Sequence, residues 1–206
     1  MSFLNTLKKL IPAFGLVAAS LTAQAQEAQY TTYDTAFPSH TPNKVEVLEF
    51  FSYACPHCAA MEPLVEKLSK ELPEGAVLVQ VPVAFNAAMQ PMQQLFYSLM
   101  ALNRPDLHEK VFSAIHQEKK RLFTRDAIVE WVVEQGVDKK AFEDAYDSFG
   151  VNTQVRRATE LTNQYEIGAT PSFTVAGKYL TSPGMTGTYE KAITVVKELL
   201  AKEMKK

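Results

Sequence analysis

Both cysteines of the chain lie within four residues, Cys55-Pro56-His57-Cys58, between an apolar strand pattern and a helical one. Lys44 to Phe51 (KVEVLEFF) is rich in β-branched and aromatic residues, continuous enough for a strand buried on both faces. From Pro56 onward Met61, Leu64, Val65 and Leu68 recur at helical spacing, and Leu72-Pro73-Glu74-Gly75 supplies the stop. Pro63 is expected to kink this helix. Ala76 to Val83 (AVLVQVPV) reads as a second strand. Strand, helix and strand in that order make a βαβ unit, and its strand-to-helix turn carries the cysteine pair.

A Cys55–Cys58 bridge closes a very short loop and restricts the unfolded chain little, so stapling is a poor reason for the pair. Reactivity is a better one. A cysteine at a helix N-terminus faces unpaired backbone N–H groups and the positive end of the helix dipole, both of which favour thiolate over thiol. Cys55 is therefore expected to be acidic, with His57 adding positive charge when protonated and Pro56 losing no hydrogen bond at the first helical turn. Cys58, one turn further in, is expected to be more buried and less reactive. Stabilising the Cys55 thiolate favours the reduced protein and makes its disulfide a ready donor. A CxxC alone also fits half of a zinc site, but there is no second cysteine pair, and His40, His108 and His116 lack paired ligand spacing. A c-type haem site needs His after the second cysteine, where Ala59 stands. An incidental pair is the remaining alternative.

Beyond Asn86 the pattern turns to successive helices. Met89, Met92, Phe96, Leu99 and Met100 form one apolar stripe, and Leu107, Val111, Phe112 and Ile115 another. Thr124 suits the N-cap of a third helix that Gly136 ends, Asp138 suits that of a fourth, and Val151 to Tyr165 reads as a fifth. Strand character returns at Ser172 to Ala176 and Lys178 to Thr181, joined through Gly177, before a last amphipathic helix with Ile193, Val196 and Leu200. The order βαβ, helices, ββα predicts an α/β fold in which both halves build one sheet, with residues 86–164 as a helical insertion.

The first residues hold Lys8 and Lys9, an apolar run from Ile11 to Leu21, and Ala23-Gln24-Ala25, the plan of a secretory signal peptide cleaved after Ala25. An N-terminal core helix is the competing reading of that stretch. Its loss leaves residues 26–206, enough to bury a core as one domain, and takes the formal charge from −2 to −4. Such mild acidity offers nothing for nucleic acid. Export to an oxidising compartment makes the absence of any other cysteine more telling.

Cys-Pro-His-Cys after the strand VLEFFSYA resembles the DsbA family of bacterial exported dithiol oxidases, members of the thioredoxin-like superfamily. The resemblance extends over almost all of residues 26–206 through Leu72-Pro73-Glu74-Gly75, the helical insertion, the Thr170-Pro171 step, Gly177-Lys178-Tyr179 and Pro183-Gly184-Met185. It implies a thioredoxin-like fold with a helical domain between the βαβ and ββα halves, and a periplasmic location. It also implies a redox-active disulfide as the only cofactor. Pro171 is then cis and lies against the cysteines, Thr170 helps to hold a substrate strand, and an apolar groove near Met185 and Pro171 receives unfolded chains. Taken on residue statistics alone, Pro171 is an ordinary trans turn proline.

By the same resemblance Glu49 is a buried proton acceptor for the inner cysteine, where burial would raise its pKa. On strand alternation alone it is a solvated carboxylate, unless Glu46 is the one outside. Relatives place a lysine near this acid, whereas the register here brings Gln80. The partners implied are newly exported proteins with free thiols and a quinone-linked membrane oxidase for reoxidation, around a monomeric protein. A periplasmic reductant or isomerase, or a chaperone-like peptide-binding module with an idle CxxC, are the rival functions.

Overall fold

The computed structural model describes residues 28–205; the expected signal segment and its cleavage site lie outside them. At the centre is strand β2 (Val45–Phe51), with β1 (Thr31–Thr32) before it and β3 (Ala76–Pro82), β4 (Ser172–Val175) and β5 (Tyr179–Thr181) after it. The sheet order is β1-β5-β4-β2-β3. β2 pairs parallel with β3, from Val45 opposite Ala76 to Phe51 opposite Pro82, and antiparallel with β4, from Val47 opposite Val175 to Phe50 opposite Ser172. Both halves of the chain therefore meet on β2, as the order of elements predicts.

Alternation along β2 sends its side chains into different cores. Val47 joins Met61, Val65 and Leu68 of α1 (Pro56–Lys70) and Val196 and Leu199 of α8 (Tyr189–Met204) on one face. Leu48 and Phe50 join Ala158 and Leu161 of α6 (Phe149–Gln164) on the other. Each fully buried apolar side chain of this size contributes about 1.5–3 kcal/mol. α1 runs unbroken through Pro63.

A third core lies among α2 (Gln90–Ala101), α3 (His108–His116), α4 (Arg125–Glu134) and α5 (Lys139–Tyr146), and it reaches Phe51, Tyr53 and Cys58 at the end of β2 and start of α1. The reactive turn thus lies where helices and sheet meet. Thr124 and Asp138 cap α4 and α5 through the N–H groups of Ala127 and Ala141. α6 starts two residues before the expected Val151, because Ser148 caps it and Phe149, 80% exposed, belongs to no apolar stripe.

Two further elements were not legible in the sequence: β1, too short to alternate, and α7 (Pro183–Thr186). Phe37 N–H donates to the Gly177 carbonyl at 2.9 Å, holding the N-terminal segment against the β4–β5 turn. Gly177 has φ +64°, and a Cβ there would collide with the Phe37 carbonyl. No helix among the described residues is long and apolar enough to cross a membrane.

Candidate active site

β2 delivers the chain to Ser52, whose carbonyl accepts the Cys55 N–H at 3.0 Å, and Cys55 becomes the N-cap of α1 with Pro56 behind it. No side chain caps this helix, and its first turn holds no acid. Its free N–H groups are left to the sulfur. Cys55 is half-buried and Cys58 fully buried, and both thiols are free, so this is the dithiol form.

The Cys55 thiol is pulled down to about 5, first by the Cys58 thiol donating to it, then, against the cost of burial, by Thr170 and by the backbone N–H groups of Cys58 and His57. Cys58 is pushed up, by burial first and then by the neighbouring Cys55 sulfur that accepts its proton. One sulfur is thus held as an anion and the other as a thiol. The imidazole of His57 turns to the Tyr189 hydroxyl, Nδ1 to Oη 2.7 Å, so what His57 gives the sulfur directly is its backbone N–H.

Thr170–Pro171 is a cis peptide, in accord with the resemblance rather than with residue statistics. The Thr170 carbonyl lies 3.3 Å from Cys55 Sγ. Thr170 and Pro171 line a cavity of about 560 Å³ together with His57, Pro183, Thr188 and Tyr189. Met185 is half-buried on α7 but does not line it; Ser182, Pro183 and Gly184, just before Met185, form that wall instead.

Glu49 is 0% exposed, which removes the solvated-face reading. Glu46, proposed as the outward acid, is buried too at 3%, because the segment before β2 covers that face and His40 N–H and Thr41 Oγ1–H donate to its carboxylate. Gln80 stands opposite Glu49 in the β2–β3 register and donates to its Oε2 at 2.9 Å, while Oε1 has no partner among the described residues. Burial, then the charge of Glu62, push Glu49 up to about 8, and the Gln80 amide offsets this only in part.

The sequence did not disclose the rest of this cluster. Gln80 Nε2 also lies 3.1 Å from His108 Nε2 and 3.5 Å from Glu62 Oε2. His108 Nδ1 meets the Tyr53 hydroxyl at 2.7 Å, and its Nε2 faces Glu62 Oε2 at 3.3 Å. A 370 Å³ cavity reaches Glu62, Gln80 and His108 from the side of Pro105 and Asp106. No cluster suited to a metal ion occurs among the described residues.

A strand ending in an acidic cysteine at a helix start, closed by Thr170–Pro171, is the arrangement of thiol–disulfide exchange. The family model described as a DSBA-like thioredoxin domain matches residues 46–190. The thiol:disulfide interchange protein DsbA of Bordetella parapertussis is 51% identical over 98% of this chain and 99% of its own, and that of Burkholderia cepacia is 38% identical over 93% of each. The crystal structure of Pseudomonas aeruginosa DsbA superposes with a TM-score of 0.82 at 33% identity, over 85% of this chain and 92% of that one. By fold, by sequence and by the chemistry of its cysteine pair, the chain belongs to the DsbA family of thioredoxin-fold thiol-disulfide oxidoreductases.

Proposed function

We propose that this protein is an exported dithiol oxidase that gives its Cys55–Cys58 disulfide to newly exported proteins with free thiols. The observation that carries this reading is the contrast between the two sulfurs, one acidic and half-exposed at the start of α1, the other buried and held as a thiol.

A substrate thiolate attacks Cys55 Sγ; the Cys55–Cys58 bond breaks, and Cys58 leaves with the electron pair and takes up a proton. Glu49, which holds a proton at neutral pH, is the acid that supplies it and takes it back when the pair is reoxidised. A second substrate thiolate then attacks the substrate sulfur of the mixed disulfide, and Cys55 departs as a stable thiolate. Two electrons have moved to the protein, and the substrate holds the disulfide.

The substrate segment lies in the cavity beside Thr170 and Pro171, with His57 at its edge. Pro56 starts the helix without a competing N–H. By family resemblance the protein works in the periplasm as a monomer of residues 26–206, with 86–164 as its helical insertion, after cleavage behind Ala25. A quinone-linked membrane oxidase restores the disulfide.

The test is reactivation of reduced, unfolded ribonuclease by the oxidised protein. The parent is expected to restore activity and Cys55→Ala to restore none. Equal results from the two would point to a peptide-binding module with an idle CxxC.

A further inference from the structure

The far wall of the substrate cavity carries a side chain that the exchange steps above leave unused. Tyr189 is the first residue of α8, behind Thr188, whose hydroxyl accepts the Lys191 N–H at 3.1 Å. Its ring packs against the apolar cluster between α8, α1 and the sheet, which fixes where the hydroxyl points. That hydroxyl meets His57 Nδ1 at 2.7 Å, with ring centroids 6.3 Å apart, across the cavity that Thr170 and Pro171 also line. His57 itself is exposed and sits in the first turn of α1 beside Cys55.

We propose that Tyr189 is a positioning residue for the redox step: its hydroxyl oxygen accepts a hydrogen bond from Nδ1–H of the protonated His57 ring and holds that ring at the start of α1, where its charge favours the Cys55 thiolate. The proposal rests on the dithiol-oxidase reading.

A neutral imidazole has one N–H, on either nitrogen, whereas the imidazolium carries both. Donation from the charged ring to a phenolic oxygen is charge-assisted and stronger than its neutral counterpart, so the contact holds the protonated ring in this orientation. A cation there adds to the backbone N–H groups of His57 and Cys58 in stabilising the anion. In the disulfide form no anion exists to be stabilised. The contact therefore acts on the reduced protein and shifts the exchange in which two glutathione thiols reduce the Cys55–Cys58 bond and leave as glutathione disulfide. Glu190 of α8 is the acid that lines the same cavity.

The experiment compares Tyr189→Phe with the parent in glutathione redox buffers, using the full chain. Phenylalanine keeps the ring and its packing and removes only the hydroxyl. The equilibrium constant for reduction of the disulfide is expected to fall about three- to tenfold, roughly 15–30 mV for a two-electron couple. The absorbance titration of the Cys55 thiolate should move upward with it. In a His57→Ser background the same substitution is expected to change neither reading.

A change under threefold in the otherwise unaltered chain would overturn the proposal. So would an equal fall in the His57→Ser background, which would assign the effect to the groove wall. If the parent sulfur titrates like free cysteine, the oxidase reading fails first; if the parent is acidic and Tyr189→Phe matches it, only the role of Tyr189 fails.

Discussion

The first turn of α1 and the acid cluster around Glu49 treat negative charge in opposite ways, although both hang from the same strand. At Cys55, half-buried, backbone N–H groups, the Cys58 thiol and the Thr170 side chain converge on one sulfur and hold it as an anion near neutral pH. At Glu49, fully buried, Gln80 donates one amide hydrogen to the carboxyl, and a second acid stands nearby, so the carboxyl keeps its proton. Burial alone raises the pKa of both kinds of group. Deeper burial at Glu49 and the larger set of donors at Cys55 together decide which one ionises. An oxidase needs both outcomes: a stable anion to leave with, and a nearby acid that has not yet given up its proton.

The largest expected effect separates the two sulfurs of the reduced protein. Alkylation with iodoacetamide at pH 7 should modify Cys55 at least about a hundredfold faster than Cys58, since the thiolate is the reactive form and Cys58 is held as a thiol. Mass spectrometry of the modified peptides reads the ratio, and comparable rates would erase the contrast.

Next in size is Gln80→Lys, which sets a cation between Glu49 and Glu62. It should lower the Glu49 pKa by about 1–3 units, turning the cluster toward the behaviour of the reactive turn. Carbon-13 titration of labelled glutamate carboxyls measures it, and an unmoved Glu49 would mean that donors in the cluster count for less than burial.

Stability against pH sharpens the comparison further. Between about 4.5 and 8 folded Glu49 keeps a proton that the unfolded chain has lost, so its contribution is present at low pH and falls as pH rises to 8. Glu49→Gln should flatten that decline by about 1–3 kcal/mol, seen in urea unfolding at pH 5 and pH 8. A decline as steep as in the parent would place the titration on another group.

The smallest effect belongs to the sulfur. Between pH 5 and 9 the folded Cys55 has lost a proton that the unfolded reduced chain retains, so reduced-state stability rises with pH in this window and is lost as pH falls toward 5. The melting temperature of the reduced form should therefore gain on that of the oxidised form as pH rises, by about 2–4 °C once solvent screening at a half-exposed group is allowed for. Because Glu49 is present in both redox forms, its opposing trend largely drops out of the difference.

What could be read from the residues was mostly local. The strand before Cys55, the helix after it, the caps at Thr124 and Asp138 and the Gly177 turn follow from short patterns of apolar spacing and capping chemistry. The opposition of Gln80 to Glu49 followed from the parallel register of one βαβ unit. The contacts that complete the site join distant residues: Tyr53 with His108, and His57 with Tyr189. A lone histidine on an apolar helix carries no mark of which tyrosine it will meet. The burial of Glu46 was hidden for a related reason, since the segment that covers it has little periodicity of its own.

The carbonyl beside Cys55 belongs to Thr170, 115 residues later in the chain. A polypeptide emerging from its N-terminus therefore carries both thiols long before the element that finishes their surroundings arrives. The wall of the substrate cavity, built by Thr170, Pro171 and Tyr189, is likewise the last part of the site to be made.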